Sequence, residues 1–341
     1  MSADLVSLDD VRVAAMRIAD HVLHPRLLRA DWAPASRTLW IKPESLQRTG
    51  SCKVRGAVNA VLGLSEPELL RGVVTYSSGN HGHAVALAAQ LAGTSATVVV
   101  PDDAPAVKID AIGALGARAA SVPRADLRQV AESLRDEEGL VLVPPSDDRA
   151  VIAGQGTIGL EIADEIPDLA AVLVPVSGGG LLAGVAAAVK ALQPNASVIG
   201  VEPILAADTA QSLREGRRVE WSHAATGRTI ADALRAPTTA PATWPHIERL
   251  VDGVITVTEE EILRAVGTLA TRDRLVAEPS GAVSTAAFLF HRDEIPPGNT
   301  VAVLSGGNVD GSLLANALVL CQPYLGSSGD QVSITKSNFA V

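Results

Sequence analysis

Residues 72–100 carry the strongest signal for the fold class, and they are GVVTYSSGNHGHAVALAAQLAGTSATVVV. The β-branched run Val73–Tyr76 predicts a strand, and a loop of Ser, Gly and Asn residues follows it. His83–Ala92 consists of small residues that suit a closely packed helix, and Ala96–Val100 is a second apolar strand. Two strands joined by a helix are typical of a βαβ unit, in which the strands run parallel. The stretch therefore predicts an α/β fold.

The alternation of strands and helices continues on both sides of this stretch. Four strands and three helices fit between residues 72 and 149, which indicates a unit of its own in that range. A second alternating run covers residues 156–202, and regular elements resume after residue 253. Residues 221–245 are rich in Pro, Thr and Ala and are predicted to be irregular. We therefore expect two α/β units whose sheets are mainly parallel.

The composition excludes several classes of protein. The chain has 341 residues, of which 47% are apolar and 19% charged, as in ordinary globular domains. Its formal net charge is −10 and the charges are interspersed, so we expect no binding of nucleic acid. We expect no membrane span, because no apolar run reaches about 18 residues, and no secretory signal at the N-terminus. Cys52 and Cys321 provide neither a disulfide framework nor a zinc site, and a cytoplasmic protein is expected.

A lysine stands in the segment TGSCKVRGA, which is residues 49–57. Lys53 falls in the first turn of a predicted helix, where the helix dipole favours anions over cations. This position destabilises the ammonium and makes the free amine easier to obtain, as Schiff-base chemistry requires. The alternative is a solvated surface lysine, and this segment alone does not decide between the two.

Three polar loops follow predicted strands directly. Their sequences are SSGNHG at residues 77–82, SGGGL at residues 177–181 and SGGN at residues 305–308. The first two precede helices, and backbone N–H groups at a helix N-terminus bind carboxylates and phosphates. The third loop places a hydroxyl at the carboxyl end of a buried strand, where α/β proteins bind their ligands. Each loop, taken alone, is also compatible with an ordinary turn.

The glycine loop at residues 177–181 has a competing interpretation. Gly178, Gly180 and Ala183 match the dinucleotide-binding pattern, and Glu202 ends the next strand, where an acid that binds ribose is expected. The local pattern therefore does not separate a site for a single phosphate group from a site for the pyrophosphate of NAD. An NAD-dependent dehydrogenase stays open as an alternative at this point.

The order of these segments resembles the fold type II pyridoxal-phosphate enzymes, in particular serine racemase and the serine/threonine dehydratases. Residues 153–157 (AGQGT) and 277–282 (AEPSGA) belong to the same resemblance, which runs from about Leu8 to about Leu320. It implies a fold like that of tryptophan synthase β, with the cofactor in a cleft between two parallel-sheet α/β domains. The large domain would take residues 1–71 and 150–325 and the small mobile domain residues 72–149, with a flexible tail at 326–341. A homodimer is also implied.

The resemblance implies a role for each segment of the site. Lys53 would carry the cofactor as a Schiff base and, once freed, would remove the α-proton of the substrate. Asn80 would bind the phenolic oxygen of the cofactor, and Ser305 would meet its pyridine nitrogen. Ser77 and His81 would bind the substrate carboxylate together with Asn80. The cofactor phosphate would be held by Ser177, Gly178, Gly179, Gly180 and Leu181.

The activity implied by the resemblance is β-elimination. A small hydroxy-amino acid such as L-serine, L-threonine or 3-hydroxyaspartate would lose water and ammonia to give a 2-keto acid. A neutral hydroxyl such as that of Ser305 does not force the pyridine nitrogen to stay protonated, which favours concerted loss of the β-substituent. The main alternative is an amino-acid racemase, in which Ser78 would handle the proton on the face opposite Lys53. A hydroxyl that only caps the helix is the simpler explanation of Ser78.

The segment after the strand that ends at Glu202 resembles the divalent-metal site of the same family. Glu202, the backbone carbonyl of Ala206 and Asp208 would bind Mg²⁺, or else Mn²⁺ or Ca²⁺. Oxygen ligands completed by water suit such hard cations. The alternative is an acidic turn without a metal.

Four residues depart from the pattern of the family. Cys52 stands where phenylalanine is usual, Ala233 where glycine is usual, Ser146 replaces an asparagine and His83 replaces a glutamine. These changes leave the substrate and any activation by a nucleotide open. Cys52 and Ala233 also raise the alternative of a protein that binds the cofactor without turnover. Cys52 is expected to be a packing residue rather than a reactive thiol.

Overall fold

The computed structural model describes residues 5–34, 37–77, 79–102, 104 and 106–321, without the side chain of Val107. Within these ranges the helices are α1 (Leu8–Ile18), α2 (Lys53–Leu62), α3 (Glu66–Arg71), α4 (Asn80–Ala92), α5 (Ala106–Ala114), α6 (Leu127–Glu138), α7 (Arg149–Glu165), α8 (Gly180–Leu192), α9 (Asp208–Glu215), α10 (His223–Thr226), α11 (Trp244–Leu250), α12 (Glu259–Thr268), α13 (Pro279–Phe290) and α14 (Gly311–Cys321). The strands are β1 (Leu28–Arg29), β2 (Leu39–Pro43), β3 (Val73–Tyr76), β4 (Ala96–Pro101), β5 (Arg118–Val122), β6 (Val141–Leu142), β7 (Leu169–Pro175), β8 (Ser197–Pro203), β9 (Gly253–Val257) and β10 (Asn299–Leu304). None of the helices in the described part of the chain is both long enough and apolar enough to cross a bilayer.

The larger of the two sheets has six strands in the order β1-β2-β10-β7-β8-β9. All neighbours in it run parallel except β1, which pairs antiparallel with β2. Strand β10 lies between β2 and β7, with Val301 opposite Trp40 on one side and Val172 on the other. The central strands are buried, as parallel strands covered by helices on both faces must be.

The smaller sheet has four parallel strands in the order β5-β4-β3-β6. Its register places Val98 of the second strand opposite Thr75 on one side and Ala119 on the other. All four strands come from residues 73–142, whereas the strands of the larger sheet come from both sides of that range. The predicted α/β class with two mainly parallel sheets is therefore confirmed. The domain boundaries after residues 71 and 149, and the mobility of the small unit, stay predictions.

Helix α4 begins earlier than the sequence predicts. The sequence pattern places its start at His83, but the helix starts at Asn80, with Gly79 as its N-cap. Asn80 and His81 therefore lie in the first turn of the helix rather than in the loop. A side chain on Gly82 would overlap the carbonyl oxygen of Ser77, so this turn packs tightly on the loop that precedes it.

Helix α7 likewise begins at Arg149 rather than at Gly156, because Asp148 caps it by accepting a hydrogen bond from the backbone N–H of Val151 at 2.8 Å. Residues 221–245, which the composition predicts to be irregular, contain the whole of α10 and the start of α11. Helix α11 carries a proline in its first turn, where the missing N–H costs no hydrogen bond.

Glycines allow α2, α7 and α8 to approach one another closely. A Cβ on Gly184 of α8 would lie 2.3 Å from the carbonyl oxygen of Ile152 in α7. A Cβ on Gly154 of α7 would lie 2.6 Å from the carbonyl oxygen of Arg55 in α2. Only glycine permits contact between backbones at these two points. The helix that begins with Lys53 is thereby held directly against the core of the larger unit.

Candidate active site

Lys53 and Ser305 lie next to each other, although most of the chain separates them. Lys53 is the first residue of α2, and the backbone N–H of Cys52 donates to the carbonyl oxygen of Ser305 at 2.9 Å. Ser51 and Gly306 form an antiparallel bridge beside this bond. The backbone before the lysine is thus paired with the end of β10. Two residues that are both predicted to contact the cofactor are therefore close to each other in the fold.

The amine of Lys53 has a neutral hydrogen-bond partner. Its Nζ donates to the carbonyl oxygen of Pro145 at 3.3 Å. Within the described residues, no carboxylate forms a salt bridge with it. Pro145 lies between β6 and α7, where the chain passes from the smaller sheet back to the larger unit. The lysine therefore reaches towards the boundary of the two units and is not neutralised by a counter-ion among those residues.

A buried ion network fixes the helix that carries Lys53. Arg55 is fully buried, and its guanidinium makes two hydrogen bonds of 2.8 Å to Glu44. It also donates to the two carboxylate oxygens of Glu161 at 2.6 and 2.9 Å, and Lys42 donates to Glu161 at 2.5 Å. Burial alone would raise the pKa of Glu161, but the charges and hydrogen bonds of Arg55 and Lys42 outweigh it and lower that pKa to about 2. The two carboxylates of this network have their cationic partners only when all four side chains are in contact.

Asn80 belongs to a second hydrogen-bond network, which the sequence did not reveal. Its Nδ2 donates to Oε1 of Glu278 at 2.7 Å, and its Oδ1 accepts from Nδ2 of Asn308 at 2.7 Å. The same Nδ2 of Asn308 donates to the carbonyl oxygen of Thr49 at 2.8 Å. Burial, and after it the charge of Asp232, raises the pKa of Glu278 to about 8. The only sequence signal for Glu278 was its place in the 277–282 segment, and no role was assigned to it.

His81 is buried and neutral. Its Nε2 lies 3.0 Å from the carbonyl oxygen of Val143, which can only accept, so Nε2 carries the proton. Burial, and after it the charge of Lys53, lowers the pKa of His81 to about 3. Ser77 accepts a hydrogen bond from the backbone N–H of Gly79 at 3.2 Å through its hydroxyl. If His81 binds a carboxylate, it therefore does so through its backbone N–H and not through a charged imidazolium. The roles of both residues stay predictions, and Ser78 lies outside the described residues.

The glycine loop is shaped by its neighbours. Gly179 has a φ of 91°, and a Cβ there would lie 2.7 Å from Oγ1 of Thr243. A Cβ on Gly178 would lie 2.3 Å from Oγ of Ser146, the residue that replaces an asparagine. The hydroxyl of Thr243 also donates to the carbonyl oxygen of Gly178 at 2.8 Å. The loop then enters α8 at Gly180, whose helix N-terminus favours an anion such as a phosphate. The residues present therefore fit a phosphate-bearing cofactor.

Glu202 and Asp208 come together at the predicted metal site. Both are buried, and the two carboxylate oxygens of Glu202 accept from the backbone N–H groups of Thr209 and Ala210 at 3.0 and 2.9 Å. One carboxylate oxygen of Asp208 has no hydrogen-bond partner among the described residues. Burial, and after it the charge of Asp208, raises the pKa of Glu202. Two adjacent buried acids with a free oxygen fit a divalent cation, and Ala206 ends the short 3-10 turn between them.

The candidate metal site has few protein ligands. In the part of the chain that the structure describes, no three His, Cys, Asp or Glu side chains converge. The candidate site thus has two carboxylates and one backbone carbonyl, which suits Mg²⁺ or Ca²⁺ with water completing the shell. The helix N–H groups bonded to Glu202 also occupy the oxygens that a ribose would need.

Two of the residues that depart from the family pattern, Cys52 and Ala233, lie in different surroundings. Cys52 is buried, and burial raises the pKa of its thiol to about 12, so it stays protonated and packs as a small apolar residue. The backbone N–H of Ala233 donates to the hydroxyl of Ser280 at 2.9 Å. Next to it, Asp232 forms a 3.6 Å ion pair with Lys108 of α5, so the two units meet here.

The chain matches the model of the family described as pyridoxal-phosphate dependent enzyme over residues 24–306. It is 40% identical over 274 residues to the L-threo-3-hydroxyaspartate ammonia-lyase of Saccharomyces cerevisiae, covering 80% of this chain and 83% of that protein. It is 43% identical over 316 residues to serine racemase of Rattus norvegicus, covering 89% of this chain and 94% of the other. The crystal structure of a threonine deaminase from T.th. superimposes with a TM-score of 0.84 at 42% identity, covering 89% of this chain and 99% of the other.

The match to the family model is a single range, and it includes Lys53, the glycine loop and Ser305. These matches give no support to the dinucleotide interpretation of the glycine loop. The resemblance inferred from the sequence motifs is confirmed, and the chain belongs to the family of pyridoxal-phosphate dependent enzymes.

Proposed function

We propose that the chain is a pyridoxal-phosphate-dependent ammonia-lyase that converts a small hydroxy-amino acid to a 2-keto acid and ammonia. L-Serine, L-threonine and 3-hydroxyaspartate are the candidate substrates. Relatives named L-threo-3-hydroxyaspartate ammonia-lyase and threonine deaminase support this choice. The observation that carries it is the backbone bond between Cys52 and Ser305, which brings the segment that begins α2 with Lys53 next to the segment that carries the neutral hydroxyl of Ser305.

Pyridoxal phosphate, when bound, would supply an electron sink for the α-carbon of the substrate. Lys53 would hold the cofactor through Nζ and would then take the α-proton on the same atom. The glycine loop from Ser177 to Leu181 would hold the phosphate, and one N–H of Asn80 would donate to the phenolic oxygen. The hydroxyl of Ser305 would meet the pyridine nitrogen without imposing a proton on it.

The substrate carboxylate would bind at the N-terminus of α4. Ser77 precedes this helix, and Asn80 and His81 form its first turn, where backbone N–H groups and the helix dipole favour an anion. Because His81 is neutral, the helix terminus would supply most of the attraction. The smaller unit, residues 72–149, would close over the substrate and exclude water. The ion pair between Lys108 and Asp232 supports such a closed arrangement.

A direct assay tests this activity. Purified protein reconstituted with pyridoxal phosphate is incubated with L-serine, L-threonine or L-threo-3-hydroxyaspartate, and the keto acid is measured. We expect release of keto acid and ammonia in equal amounts from at least one of them, and none from Lys53→Ala. Cofactor binding without keto acid from any of the three substrates would show that the proposal is wrong.

Racemisation is the second candidate activity, and the 43% identity to a serine racemase favours it. It requires a second proton donor opposite Lys53, for which Ser78 is the candidate from the sequence. Chiral chromatography of serine or aspartate after incubation separates the two activities. A change in the enantiomer ratio that Ser78→Ala abolishes, while elimination continues, would assign racemisation to Ser78.

Two further parts of the proposal follow from the family resemblance. Glu202, the carbonyl of Ala206 and Asp208 would bind Mg²⁺, with Mn²⁺ or Ca²⁺ as alternatives, remote from the chemistry. A homodimer is proposed on the family resemblance alone and is tested by light scattering. The cytoplasmic location expected from the sequence stays a prediction.

A further inference from the structure

Glu278 lies against the loop that follows β10 and carries Ser305. It is the N-cap of α13 and only 4% exposed, and its backbone N–H donates to the carbonyl oxygen of Gly306 at 3.1 Å. A Cβ on Gly306 would lie 2.4 Å from Oε1 of Glu278. The carboxyl group is therefore packed beside the candidate cofactor site and is not directed to solvent.

The hydrogen bonds that end at Glu278 have a fixed direction. The carbonyl oxygen of Thr49 can only accept, so the group of Asn308 that faces it must be the amide NH₂. That NH₂ also donates to Asn80, so Asn80 must turn its oxygen towards Asn308. The NH₂ of Asn80 then points to Glu278, which accepts one of its two hydrogens. The second N–H of Asn80 has no partner among the described residues.

We propose that Glu278 is a positioning residue, whose carboxyl group holds the amide of Asn80 so that its second N–H faces the phenolic oxygen of the cofactor. This inference rests on the proposed function, because it assumes the cofactor role of Asn80. Without an acceptor at position 278, the amide of Asn80 would be held only on its oxygen side, by Asn308, and its NH₂ group could turn away from the geometry that Glu278 imposes. The second N–H of Asn80 would then no longer be directed at the phenolic oxygen, and the cofactor would lose this hydrogen bond or keep it with poorer geometry.

The raised pKa of Glu278 makes the positioning role testable by a change of pH. Burial and Asp232 raise the pKa of Glu278 to about 8, while Asn80, Lys108 and the backbone of Asn308 act in the opposite direction. The thiol of Cys52 also interacts electrostatically with Glu278. Burial raises the pKa of this thiol to about 12, so the thiol stays neutral. Glu278 is therefore mostly protonated at pH 7 and ionises as the pH rises through about 8. Its ionisation would add a negative charge beside Asn80 and disturb the cofactor electrostatically.

A double-mutant cycle on cofactor binding tests the coupling. The dissociation constant of pyridoxal phosphate is measured by fluorescence titration for the wild type, Glu278→Ala, Asn80→Ala and the double variant. We expect each single change to weaken binding by about tenfold, as for a lost hydrogen bond that leaves a partner unsatisfied. The double variant should bind no more weakly than Asn80→Ala. Effects that multiply would show that Glu278 does not act through Asn80.

A pH titration of the holoenzyme distinguishes positioning from a merely structural role. The visible absorption band is followed between about pH 6 and pH 10 for the wild type, Glu278→Gln and the control Glu260→Gln, an exposed carboxylate paired with Arg264. We expect a spectral transition near pH 8 in the wild type and the control and none in Glu278→Gln, which keeps an acceptor and folds without the buried acid. The same transition in all three proteins would overturn the inference alone. The lack of any band in the wild type would overturn the proposed function and the inference with it.

Discussion

Cys52 donates its backbone N–H to the carbonyl oxygen of Ser305, and this 2.9 Å bond joins the residue before Lys53 to the predicted partner of the pyridine nitrogen. The bond uses only backbone atoms, so it does not depend on which side chain stands at position 52. A cysteine can therefore replace the usual phenylalanine without moving the lysine relative to Ser305. What the substitution changes is the size and chemistry of the side chain beside the site.

The thiol of Cys52 should be unreactive in the folded protein. It is 3% exposed and its pKa is raised to about 12 by burial, so almost no thiolate forms near neutral pH. Iodoacetamide labelling at about pH 8, followed by peptide mapping, should modify the half-buried Cys321 well before Cys52. Both should react at similar rates in urea. Equal labelling of the two cysteines in the native protein would contradict a packing role for Cys52.

Replacing Arg55 should destabilise the protein strongly. Arg55→Met removes the only cation bonded to Glu44 among the described residues and leaves that fully buried carboxylate without a charge partner. We expect a loss of about 3–5 kcal/mol in the free energy of unfolding, measured by urea denaturation. Arg12→Met is the matched control, because Arg12 forms an exposed pair with Asp9 and should cost less than about 1 kcal/mol. Equal costs would mean that the buried network contributes little.

Gly179→Ala should damage the glycine loop, which is proposed to hold the cofactor phosphate. A methyl group there meets Oγ1 of Thr243 at 2.7 Å, and the residue must keep a φ of 91°. We expect weaker binding of pyridoxal phosphate together with lower stability. Gly216→Ala is a matched control, since Gly216 has a φ of 64° and nothing within 4 Å of the added Cβ. It should cost only the strain of a left-handed residue, about 1–2 kcal/mol, and leave cofactor affinity unchanged.

A divalent cation should stabilise the chain through Asp208. At about a hundredfold excess over its dissociation constant, Mg²⁺ would add about 2.7 kcal/mol to the free energy of unfolding. We expect a higher melting temperature on adding Mg²⁺ and its reversal by a chelator. Asp208→Asn should abolish the shift, whereas Asp136→Asn, a change at an exposed ion pair, should keep it. An unchanged shift in Asp208→Asn would exclude this metal site.

The sequence predicted the alternating elements, because these depend on local patterns of apolar and polar residues. That Lys53 and Ser305 belong to one site was implied by the resemblance to a known family and not by the local patterns. Loops at the carboxyl ends of parallel strands commonly bind ligands, so the sequence could mark the separate Ser and Gly segments as candidates. Their assignment to one site came from the family resemblance. Proline misled the prediction at α11, where Pro245 lies in the first turn of a helix and does not break one.

Glu278 could not be assigned from sequence, because a glutamate before a proline looks like an ordinary helix start. Its role depends on three contacts with segments far away in the chain: Asn80, Gly306 and the backbone of Asn308. The fully buried pairing of Arg55 with Glu44 was missed for a similar reason. Charged residues are rarely buried, and only the tertiary structure shows that these two are.

The position of β10 in the larger sheet has a consequence for synthesis of the chain. This strand is the last in sequence among the described strands but lies between β2 and β7, so both of those neighbours keep an unpaired edge until residues 299–304 have left the ribosome. The nascent chain therefore carries two open sheet edges through most of its translation, a state that favours aggregation and calls for chaperone protection. A stop codon upstream of residue 299 would remove a central strand and leave no complete larger sheet, however much of the chain had already been made.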